Sequence, residues 1–308
     1  MLALTTTGNA DLLALTEVPE PEPAATEAVV RMFATSLNRG EIARCANSPA
    51  GWGPGWDVVG VVERGAERGG GPPVGSTVVG VVDSGAWAER VAVSVDVLAL
   101  IPDGVTPAQA ACLPVAGITA FRTLALAGFP IGKSVLITGA SGGVGHLAVQ
   151  LARSAQMTVT GLIRNPEANP VAAAACDHVL RDIQEAEGPY DHVLDGVGGA
   201  VLTRCLEVVA PRGMVVSYAS TLLDPATLGP RWFGGHLGAT LRSFLIFDEL
   251  RYTQSGASDL GALCALIAGG KLKAHIDVQA DWSRAGELAR DLLERRVTGK
   301  VVLSIGSR

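Results

Sequence analysis

The sequence predicts an α/β fold in which a β-rich unit is joined to a doubly wound parallel sheet, and three observations support it. Short strands separated by loops rich in Gly and Pro fill the first third of the chain. From about Val115 onward, strands alternate with helices, which is the pattern of successive βαβ units. A glycine-rich turn stands between a buried strand and a helix at Ser134–Gly145, S-V-L-I-T-G-A-S-G-G-V-G.

This glycine-rich turn predicts a binding site for a pyrophosphate group. Gly139 allows a sharp turn at the strand end, Gly142 lets the backbone approach an anion, and Gly145 lets the helix pack on the strand. The helix N-terminus would supply free N–H groups and a partial positive charge. A tight turn without a ligand is the alternative, but the strand and helix on either side are the context that a dinucleotide site requires. The same turn contains Ser141, Gly143 and Val144.

The composition limits the classes of function. The chain has 308 residues, enough for about two domains, with 48% hydrophobic and 18% charged residues. A net charge of -6 without a basic run argues against a nucleic-acid partner. No apolar segment is long enough to span a membrane, and no signal peptide is evident. Five scattered cysteines without a C-x-x-C pair favour free thiols in a reducing cytoplasm.

The first third of the chain predicts a small barrel-like domain, because many short strands alternate with turns. The segment Thr106–Ala111 is expected to open a helix, with Thr106 as its N-cap and Pro107 at its first helical position. The predicted strands are Ala28–Ala34, Asp57–Glu63, Thr77–Val82 and Glu89–Val93.

The middle of the chain predicts the parallel sheet, and the tail returns to the first domain. The expected boundaries are 1–114 with 256–308 for the β-rich domain and 115–255 for the nucleotide-binding domain. The predicted strands of the sheet are Val135–Ile137, Thr158–Ile163, His178–Leu180, His192–Leu194, Met214–Tyr218 and Leu241–Phe247. The predicted helices are one ending at Ala155, Val171–Ala175 and Ala200–Val209. The tail is expected to form helix Asp259–Ala268, strand Ala274–Val278, helix Ser283–Arg295 capped by Ser283, and strand Val301–Ile305.

Several motifs, in this order and spacing, carry a family resemblance. They are S-L-N-R-G-E at 36–41, G-W-D-V-V-G-V-V at 55–62, V-G-S-T-V-V-G at 74–80, G-A-W-A-E-R-V-A-V at 85–93, L-P-V-A-G-I-T-A-F at 113–121, G-A-S-G-G-V-G at 139–145, Y-D-H-V-L-D-G-V-G-G at 190–199 and T-G-K-V-V-L at 298–303. The chain resembles the medium-chain dehydrogenase/reductase superfamily, in its zinc-independent quinone oxidoreductase branch. The resemblance implies a GroES-like β-barrel catalytic domain, a Rossmann domain and hydride transfer from NADPH.

The residues at the zinc positions of this superfamily predict that no metal is bound. Zinc-dependent members place a Cys where this chain has Asn38, and a His-Glu pair where it has Trp56 and Asp57. A catalytic zinc needs three protein ligands, and Trp56 cannot be one. The lobe of four closely spaced cysteines that holds structural zinc is also absent from the sequence.

The end of the second Rossmann strand, T-G-L-I-R-N, favours NADPH over NADH. In NAD-specific folds an acidic residue here binds the ribose 2′-hydroxyl, but this chain has Ile163 at that position, followed by Arg164 and Asn165. An arginine can pair with a 2′-phosphate through charge-assisted hydrogen bonds. A solvated surface arginine is the alternative interpretation.

Further cofactor contacts are expected at the carboxyl ends of later strands, where open α/β sheets bind ligands. The turn Asp195–Gly198, which includes Val197, is one candidate, and Tyr218 and Ser220 after the next strand are others. The family resemblance adds Thr119 and Lys300 near the cofactor, and Phe244, Leu245 and Ile246 at the nicotinamide pocket. Simple core or a subunit interface is the alternative for these last three residues.

The catalytic residues are expected in the S-L-N-R-G-E motif. Asn38 is the candidate donor to a substrate carbonyl, or the group that positions the nicotinamide, with a structural turn as the alternative. Many relatives carry a Tyr after this Asn, but here Arg39 follows, and its permanent charge makes it a poor proton donor. Arg39 is therefore expected to stabilise an enolate or an anionic group, with water supplying the proton. Trp52 and Trp56 are expected to line the substrate mouth, or else to pack on the barrel.

These features predict a cytoplasmic NADPH-dependent reductase that acts on a quinone or an α,β-unsaturated carbonyl. One alternative is an enoyl-thioester reductase of a biosynthetic pathway. Another is an NADP-binding protein with a non-redox role in cyclisation or elimination, or with no catalytic role. A homodimer is expected because the apolar segment Leu241–Phe247 would form a sheet edge, and such edges are usually paired or covered.

Overall fold

The computed structural model describes residues 1–9, 11–230 and 232–306, and the chain forms two compact units. The first comprises Met1–Ile118 with Leu250–Arg308, and the second comprises Thr119–Glu249. The fold class is confirmed as α/β with a parallel doubly wound sheet. The predicted domain boundaries, after residues 114 and 255, stay a prediction.

The N-terminal part of the first unit is β-rich, as its short Val-rich runs predict. It consists of β1 (Leu2–Thr6), β2 (Leu13–Glu17), β3 (Glu27–Ser36), α1 (Arg39–Ala46), β4 (Asp57–Arg64), β5 (Thr77–Val81), β6 (Arg90–Ser94), β7 (Leu98–Leu100) and α2 (Pro107–Ala111). The cap of α2 is confirmed, because Thr106 Oγ1 accepts a hydrogen bond from the N–H of Gln109. Helix α3 (Pro114–Ala125) then runs from the first unit into the second.

The second unit alternates strands and helices. Its elements are β8 (Ser134–Ile137), α4 (Gly143–Ser154), β9 (Thr158–Leu162), α5 (Pro170–Ala174), β10 (His178–Leu180), β11 (Tyr190–Asp195), α6 (Gly199–Val208), β12 (Val209–Ser217), α7 (Trp232–Gly235), β13 (Thr240–Ser243) and α8 (Ile246–Thr253). The strands pair in parallel in the order β10-β9-β8-β11-β12-β13. Successive strands are therefore added first to one side of β8 and then, from β11 onward, to its other side. This change of strand order is the arrangement of dinucleotide-binding folds.

The tail returns to the first unit with α9 (Gly256–Ala268), β14 (Ile276–Asp281), α10 (Ala285–Leu293) and β15 (Lys300–Ser304). These strands extend a sheet of order β14-β15-β3-β4-β5-β7, in which β6 also pairs with β3. Apart from the parallel pair β14–β15, its pairings are antiparallel. Strand β15 thus brings C-terminal residues next to β3 and the start of α1.

Several predicted elements differ from the structure in their bounds. For example, the strand predicted at Ala274–Val278 is Ile276–Asp281, and the strand predicted at Met214–Tyr218 begins earlier, at Val209. The predicted strand Leu241–Phe247 is wrong in extent, because β13 ends at Ser243 and α8 begins at Ile246. Phe244 and Ile246 are buried at this junction, while Leu241 and Leu245 are exposed, so these apolar residues do not form one continuous buried strand. The predicted cap Ser283 is also wrong, because Asp281 caps a short 3-10 turn by accepting from the N–H of Ser283.

Within the described residues, no helix combines the length and the apolar character that crossing a membrane requires.

Candidate functional site

The carboxyl edge of the parallel sheet brings together most of the residues predicted to bind a cofactor. The glycine-rich turn follows β8, Arg164 and Asn165 follow β9, and the turn after Asp195 follows β11. Tyr218 and Ser220 follow β12, and Phe244–Ile246 follows β13. Because the strands are parallel, these segments share one edge of the sheet, where open α/β sheets bind ligands.

The glycine-rich turn, called the glycine cradle below, lies at the N-terminus of α4. Gly139 has a positive φ of 58°, which glycine adopts without strain. A Cβ on Gly145 would lie 2.3 Å from the carbonyl oxygen of Gly139, so this position needs glycine. Gly142 is the N-cap and has no side chain to accept from the first helical N–H groups. The first turn of α4 therefore has backbone N–H groups of the kind that bind a phosphate.

Asp195 shapes the turn after β11 instead of presenting a free carboxylate. It is wholly buried, and its Oδ1 accepts from Thr138 Oγ1 at 2.7 Å and from the N–H of Val197 at 3.2 Å. Its Oδ2 accepts from the N–H of Gly198 at 3.0 Å. Burial raises the pKa of Asp195 above its ordinary value, and these hydrogen bonds offset only part of that increase. The predicted contact of this turn with a cofactor would therefore come from its backbone.

The segment after β12 packs closely on that turn. A Cβ on Gly196 would lie 2.4 Å from the Tyr218 hydroxyl, and a Cβ on Gly198 would lie 2.2 Å from Ser220 Oγ. Burial raises the pKa of Tyr218 above its ordinary value. Ser220 Oγ donates to the carbonyl of Leu222 at 2.6 Å. Both predicted residues thus lie beside the Asp195 turn, at the same sheet edge.

A second arginine, Arg181, follows the strand next to β9, and it was not predicted from the sequence. Arg181 directly follows β10, whose Leu180 lies opposite Leu162 of β9. The N–H of Ile163 donates to the carbonyl of Leu180 at 2.8 Å, so the two strand ends are neighbours. Arg181 pairs with Glu167 in the loop after β9. Strand adjacency was the signal that could have found it, because β9 and β10 follow each other in a right-handed βαβ unit.

In the first unit, a buried polar cluster surrounds Asn38, the N-cap of α1. Lys300 Nζ donates to Asn38 Oδ1 at 2.7 Å and to the carbonyl of Leu37 at 3.1 Å. Asn38 Nδ2 donates to Asp57 Oδ2 at 2.8 Å and to Glu41 Oε1 at 3.1 Å. Two predicted residues, Asn38 and Lys300, are therefore in direct contact. The hydrogen bonds fix the orientation of the Asn38 amide.

Arg39 contacts the end of helix α10. Its Nη1 donates to the carbonyl of Leu292 at 2.5 Å, and its Nη2 donates to that of Leu293 at 3.2 Å. Carbonyl groups at a helix C-terminus lack helical partners and carry a partial negative charge, so an arginine stabilises them. This contact gives Arg39 a structural function, and its predicted role toward an anionic substrate group stays a prediction.

The two predicted substrate-lining tryptophans lie near α1. The Trp56 ring lies against Gly40, where a Cβ would be 3.0 Å from its Cη2, and its Nε1 donates to the carbonyl of Asp83 at 3.0 Å. Trp52 lies under the guanidinium of Arg44, whose Cζ is 4.6 Å from the ring centroid. Both rings are half-buried. Their predicted contact with substrate stays a prediction.

Two further points concern predicted residues. Thr119 is buried in α3, where its carbonyl accepts from Thr123 Oγ1 at 2.7 Å. Among the residues that the structure describes, no group of three His, Cys, Asp or Glu side chains is arranged to hold a metal ion. Asn38, Trp56 and Asp57 stand at the three positions that zinc-dependent relatives would use.

The chain is similar in sequence to known dehydrogenases and reductases. A family model described as zinc-binding dehydrogenase matches residues 171–303. The chain is 30% identical over 320 residues to a 2-methylene-furan-3-one reductase of Solanum lycopersicum, covering 96% of this chain and 76% of the relative. It is 27% identical to the chloroplastic NADPH-dependent alkenal/one oxidoreductase of Arabidopsis thaliana, with 96% and 77% covered.

Among solved structures, the fold matches a quinone oxidoreductase of Pseudomonas syringae pv. Tomato with a TM-score of 0.87. The two chains are 25% identical, and the match covers 99% of each. The similarity therefore includes both units.

Proposed function

The chain belongs to the medium-chain dehydrogenase/reductase superfamily, in its quinone oxidoreductase branch, and from this premise we propose the reaction that it catalyses. It is an NADPH-dependent oxidoreductase that transfers a hydride to a quinone or to an α,β-unsaturated carbonyl, without zinc. The activities named for its relatives, reduction of a methylene-furanone and of alkenals or alkenones, support this substrate class.

The observation that carries the proposal is the glycine cradle at the N-terminus of α4. The cradle would hold the pyrophosphate on backbone N–H groups at the start of α4. The turn after Asp195, together with Tyr218 and Ser220, would line the same sheet edge. Phe244, Leu245 and Ile246 would complete the apolar part of the binding site.

The preference for NADPH rests on charge at the ends of β9 and β10. Ile163 occupies the position at which an acidic side chain would bind a ribose hydroxyl, and it is buried. Arg164 is exposed, and Arg181 follows the adjacent strand. We propose that both guanidinium groups bind the 2′-phosphate, which an arginine recognises through paired, charge-assisted hydrogen bonds.

Bound NADPH would supply the hydride, and Asn38 and Lys300 are proposed to position the acceptor. The Asn38 amide is held by Lys300 on its oxygen and by the carboxyl groups of Glu41 and Asp57 on its nitrogen. We assign Asn38 and Lys300 to orienting the reacting carbonyl or the carboxamide of the cofactor. Trp52 and Trp56 offer flat apolar surfaces that suit conjugated acceptors, and solvent supplies the proton. The rate enhancement would come from positioning and fixed dipoles.

We also propose a cytoplasmic homodimer. The five cysteines are all free thiols, which favours a reducing compartment. Strand β13 ends the parallel sheet and pairs only with β12 among the described strands. Leu241 is 50% exposed and Leu237 is 67% exposed, so this edge carries apolar surface that a second copy would cover.

Titration with NADPH and with NADH, followed by fluorescence, tests the cofactor half of this proposal on the wild type and on Arg164→Ala. The wild type is expected to prefer NADPH, and the variant is expected to lose much of that preference. NADPH oxidation with a panel of quinones and enones tests the reaction. If neither nucleotide binds, the proposal fails, and if NADPH binds but no acceptor oxidises it, the non-redox alternative replaces it.

A further inference from the structure

The polar cluster of the first unit contains two buried carboxyl groups but only one ammonium group. Asp57 is the carboxylate that pairs with the ammonium, because its Oδ2 lies 3.6 Å from Lys300 Nζ. The same oxygen accepts from Asn38 Nδ2 at 2.8 Å and from the hydroxyl of Ser36, and Oδ1 accepts from the N–H of Val115 at 2.9 Å. Both oxygens of Asp57 are therefore stabilised by donors.

The carboxyl group of Glu41 has fewer hydrogen-bond donors around it than that of Asp57. Its side chain is wholly buried, and Oε1 accepts from the backbone N–H of Asn38 at 2.6 Å and from Asn38 Nδ2 at 3.1 Å. Its Oε2 is buried without a hydrogen-bond partner in the described protein. An ionised carboxylate in this position would leave a charged oxygen without a donor, and it would give the cluster a net negative charge together with Asp57 and Lys300. Burial of such a charge costs far more than burial of an unpaired hydroxyl.

Burial is the main cause of the direction in which the pKa of Glu41 shifts. Burial raises it well above the ordinary value, and the negative charge of Asp57 raises it further, against the opposing influence of Lys300 and the hydrogen bonds from Asn38. Another titratable neighbour is Cys45, one turn along α1, and Cys112 lies near Asp57 and Lys300. Burial raises the pKa of the Cys45 thiol to about 12, so it carries no charge near neutral pH.

We propose that Glu41 is a neutral carboxylic acid and is the residue that positions the Asn38 amide for turnover, an inference that rests on the proposed function. With Glu41 neutral, Lys300 stays on the amide oxygen of Asn38, and Asp57 holds the amide nitrogen. An ionised Glu41 would compete with Asp57 for the only ammonium group. The amide would then lose its fixed orientation.

Infrared difference spectroscopy tests the charge of Glu41 directly, because a protonated carboxylic acid has a C=O stretching band that a carboxylate lacks. The wild type at neutral pH is expected to show this band, and Glu41→Gln is expected to lack it. The matched control is Glu287→Gln, because Glu287 is exposed and paired with Arg284, which lowers the pKa of its carboxyl. That control should retain the band.

Steady-state kinetics with NADPH and a simple quinone test the positioning role. Glu41→Ala is expected to lower kcat by about tenfold or more with a smaller effect on the KM for NADPH, since positioning acts in the transition state. Glu41→Gln keeps the acceptor oxygen toward Asn38 without a charge, so it should recover most of that loss, whereas Glu41→Asp should not.

The two readouts separate failure of this inference from failure of the proposed function. A wild type that oxidises NADPH but lacks a Glu41-dependent acid band overturns the neutral charge. An Ala variant as active as the Gln variant overturns the positioning role. If the wild type reduces no acceptor, both the proposed function and the positioning role are refuted. The infrared band would still decide the charge of Glu41 in that case.

Discussion

The ammonium of Lys300 donates to the side-chain oxygen of Asn38 at 2.7 Å, across 262 positions of the sequence. Strand β15 makes this contact possible, because it pairs with β3 and brings its first residue to the start of α1. Lys300 is only 5% exposed, and it is the cation beside the buried Asp57. The contact links the C-terminal motif T-G-K-V-V-L to the motif S-L-N-R-G-E.

Replacing Lys300 by Met should destabilise the first unit and slow turnover. The variant leaves the charge of Asp57 buried without its counter-charge, and removing one partner of a buried ion pair costs about 3–5 kcal/mol. Denaturant unfolding measures the free energy of unfolding, and NADPH oxidation measures turnover. The control is Lys271→Met, at an exposed position, which should change neither. A Lys300→Met variant as stable as the wild type would contradict the assigned ion pair.

Gly145→Ala should weaken nucleotide binding, because the added Cβ would meet the carbonyl oxygen of Gly139 at 2.3 Å and the Cα of Ala140 at 2.6 Å. The turn must then move away from the helix, and NADPH affinity should fall by about tenfold or more. Fluorescence titration measures the affinity, and circular dichroism checks that the variant is folded.

A matched control for this variant is Gly261→Ala in α9, where nothing lies within 4 Å of the added Cβ. Alanine is a better helix former than glycine, so the control should gain roughly 0.5–1 kcal/mol of stability. Its NADPH affinity should match that of the wild type. Equal NADPH affinity in the two variants would remove the glycine turn from the binding site.

Arg181→Ala should weaken NADPH binding and leave NADH binding nearly unchanged, because only NADPH carries a 2′-phosphate. A hydrogen bond to a charged group contributes about 1.5–3 kcal/mol, so the loss should be about tenfold or more. Titration with 2′,5′-ADP, which carries the 2′-phosphate, and with 5′-AMP, which lacks it, isolates the contribution of that phosphate to the affinity. Arg68→Ala, at an exposed position of the first unit, is the control. Equal losses for both nucleotides would show that Arg181 acts on the fold and not on the phosphate.

The sequence predicted the elements that depend on local pattern. Strand β8, the glycine turn and helix α4 occur as expected, because a buried apolar run, three glycines and an amphipathic helix each impose one local structure. The cap at Thr106 is similarly local. Asn38 and Lys300 were each identified through motifs. The hydrogen bond between them was not predicted, because contact between side chains so far apart in sequence depends on strand order.

What the sequence did not provide depends on tertiary context. Helix α1 was missed, because R-G-E-I-A-R-C-A is short and has a glycine near its start, and its stability comes from packing. Glu41 was not identified as a buried group, since a glutamate in the first turn of a helix is ordinarily a solvated capping residue. Arg181 was missed because its significance depends on the pairing of β10 with β9.

His192 should make the second unit less stable as the pH falls. Its imidazole is buried in β11, Nε2 lies 2.9 Å from the carbonyl of Thr123, and Nδ1 is buried without a hydrogen-bond partner. Burial lowers the pKa of His192 below its ordinary value of 6.5. As the pH falls, the unfolded chain therefore takes up the proton before the folded chain does. The stability that neutral His192 contributes is fully present above pH 6.5, and it is lost as the pH falls through 6.5 toward the lower pKa of the folded protein.

Thermal unfolding between pH 8 and pH 5.5 measures this effect, with about 1.4 kcal/mol expected for each unit by which the pKa is lowered. His192→Gln keeps a donor toward Thr123 but cannot titrate, so its melting temperature should fall less over this range. His178→Gln, at an exposed position on β10, should follow the wild type. Identical pH profiles for wild type and His192→Gln would show that another group controls the acid sensitivity.

The exposed edge of β13 should determine the oligomeric state. Leu241 is half exposed on a strand whose only described partner is β12, and a lysine there would oppose pairing with a second copy through charge and solvation. Light scattering coupled to gel filtration is expected to give a dimer for the wild type and a monomer for Leu241→Lys. Leu100→Lys, at an exposed position of β7 in the other unit, should remain dimeric. A dimeric Leu241→Lys variant would place the interface elsewhere, and a monomeric wild type would remove the homodimer altogether.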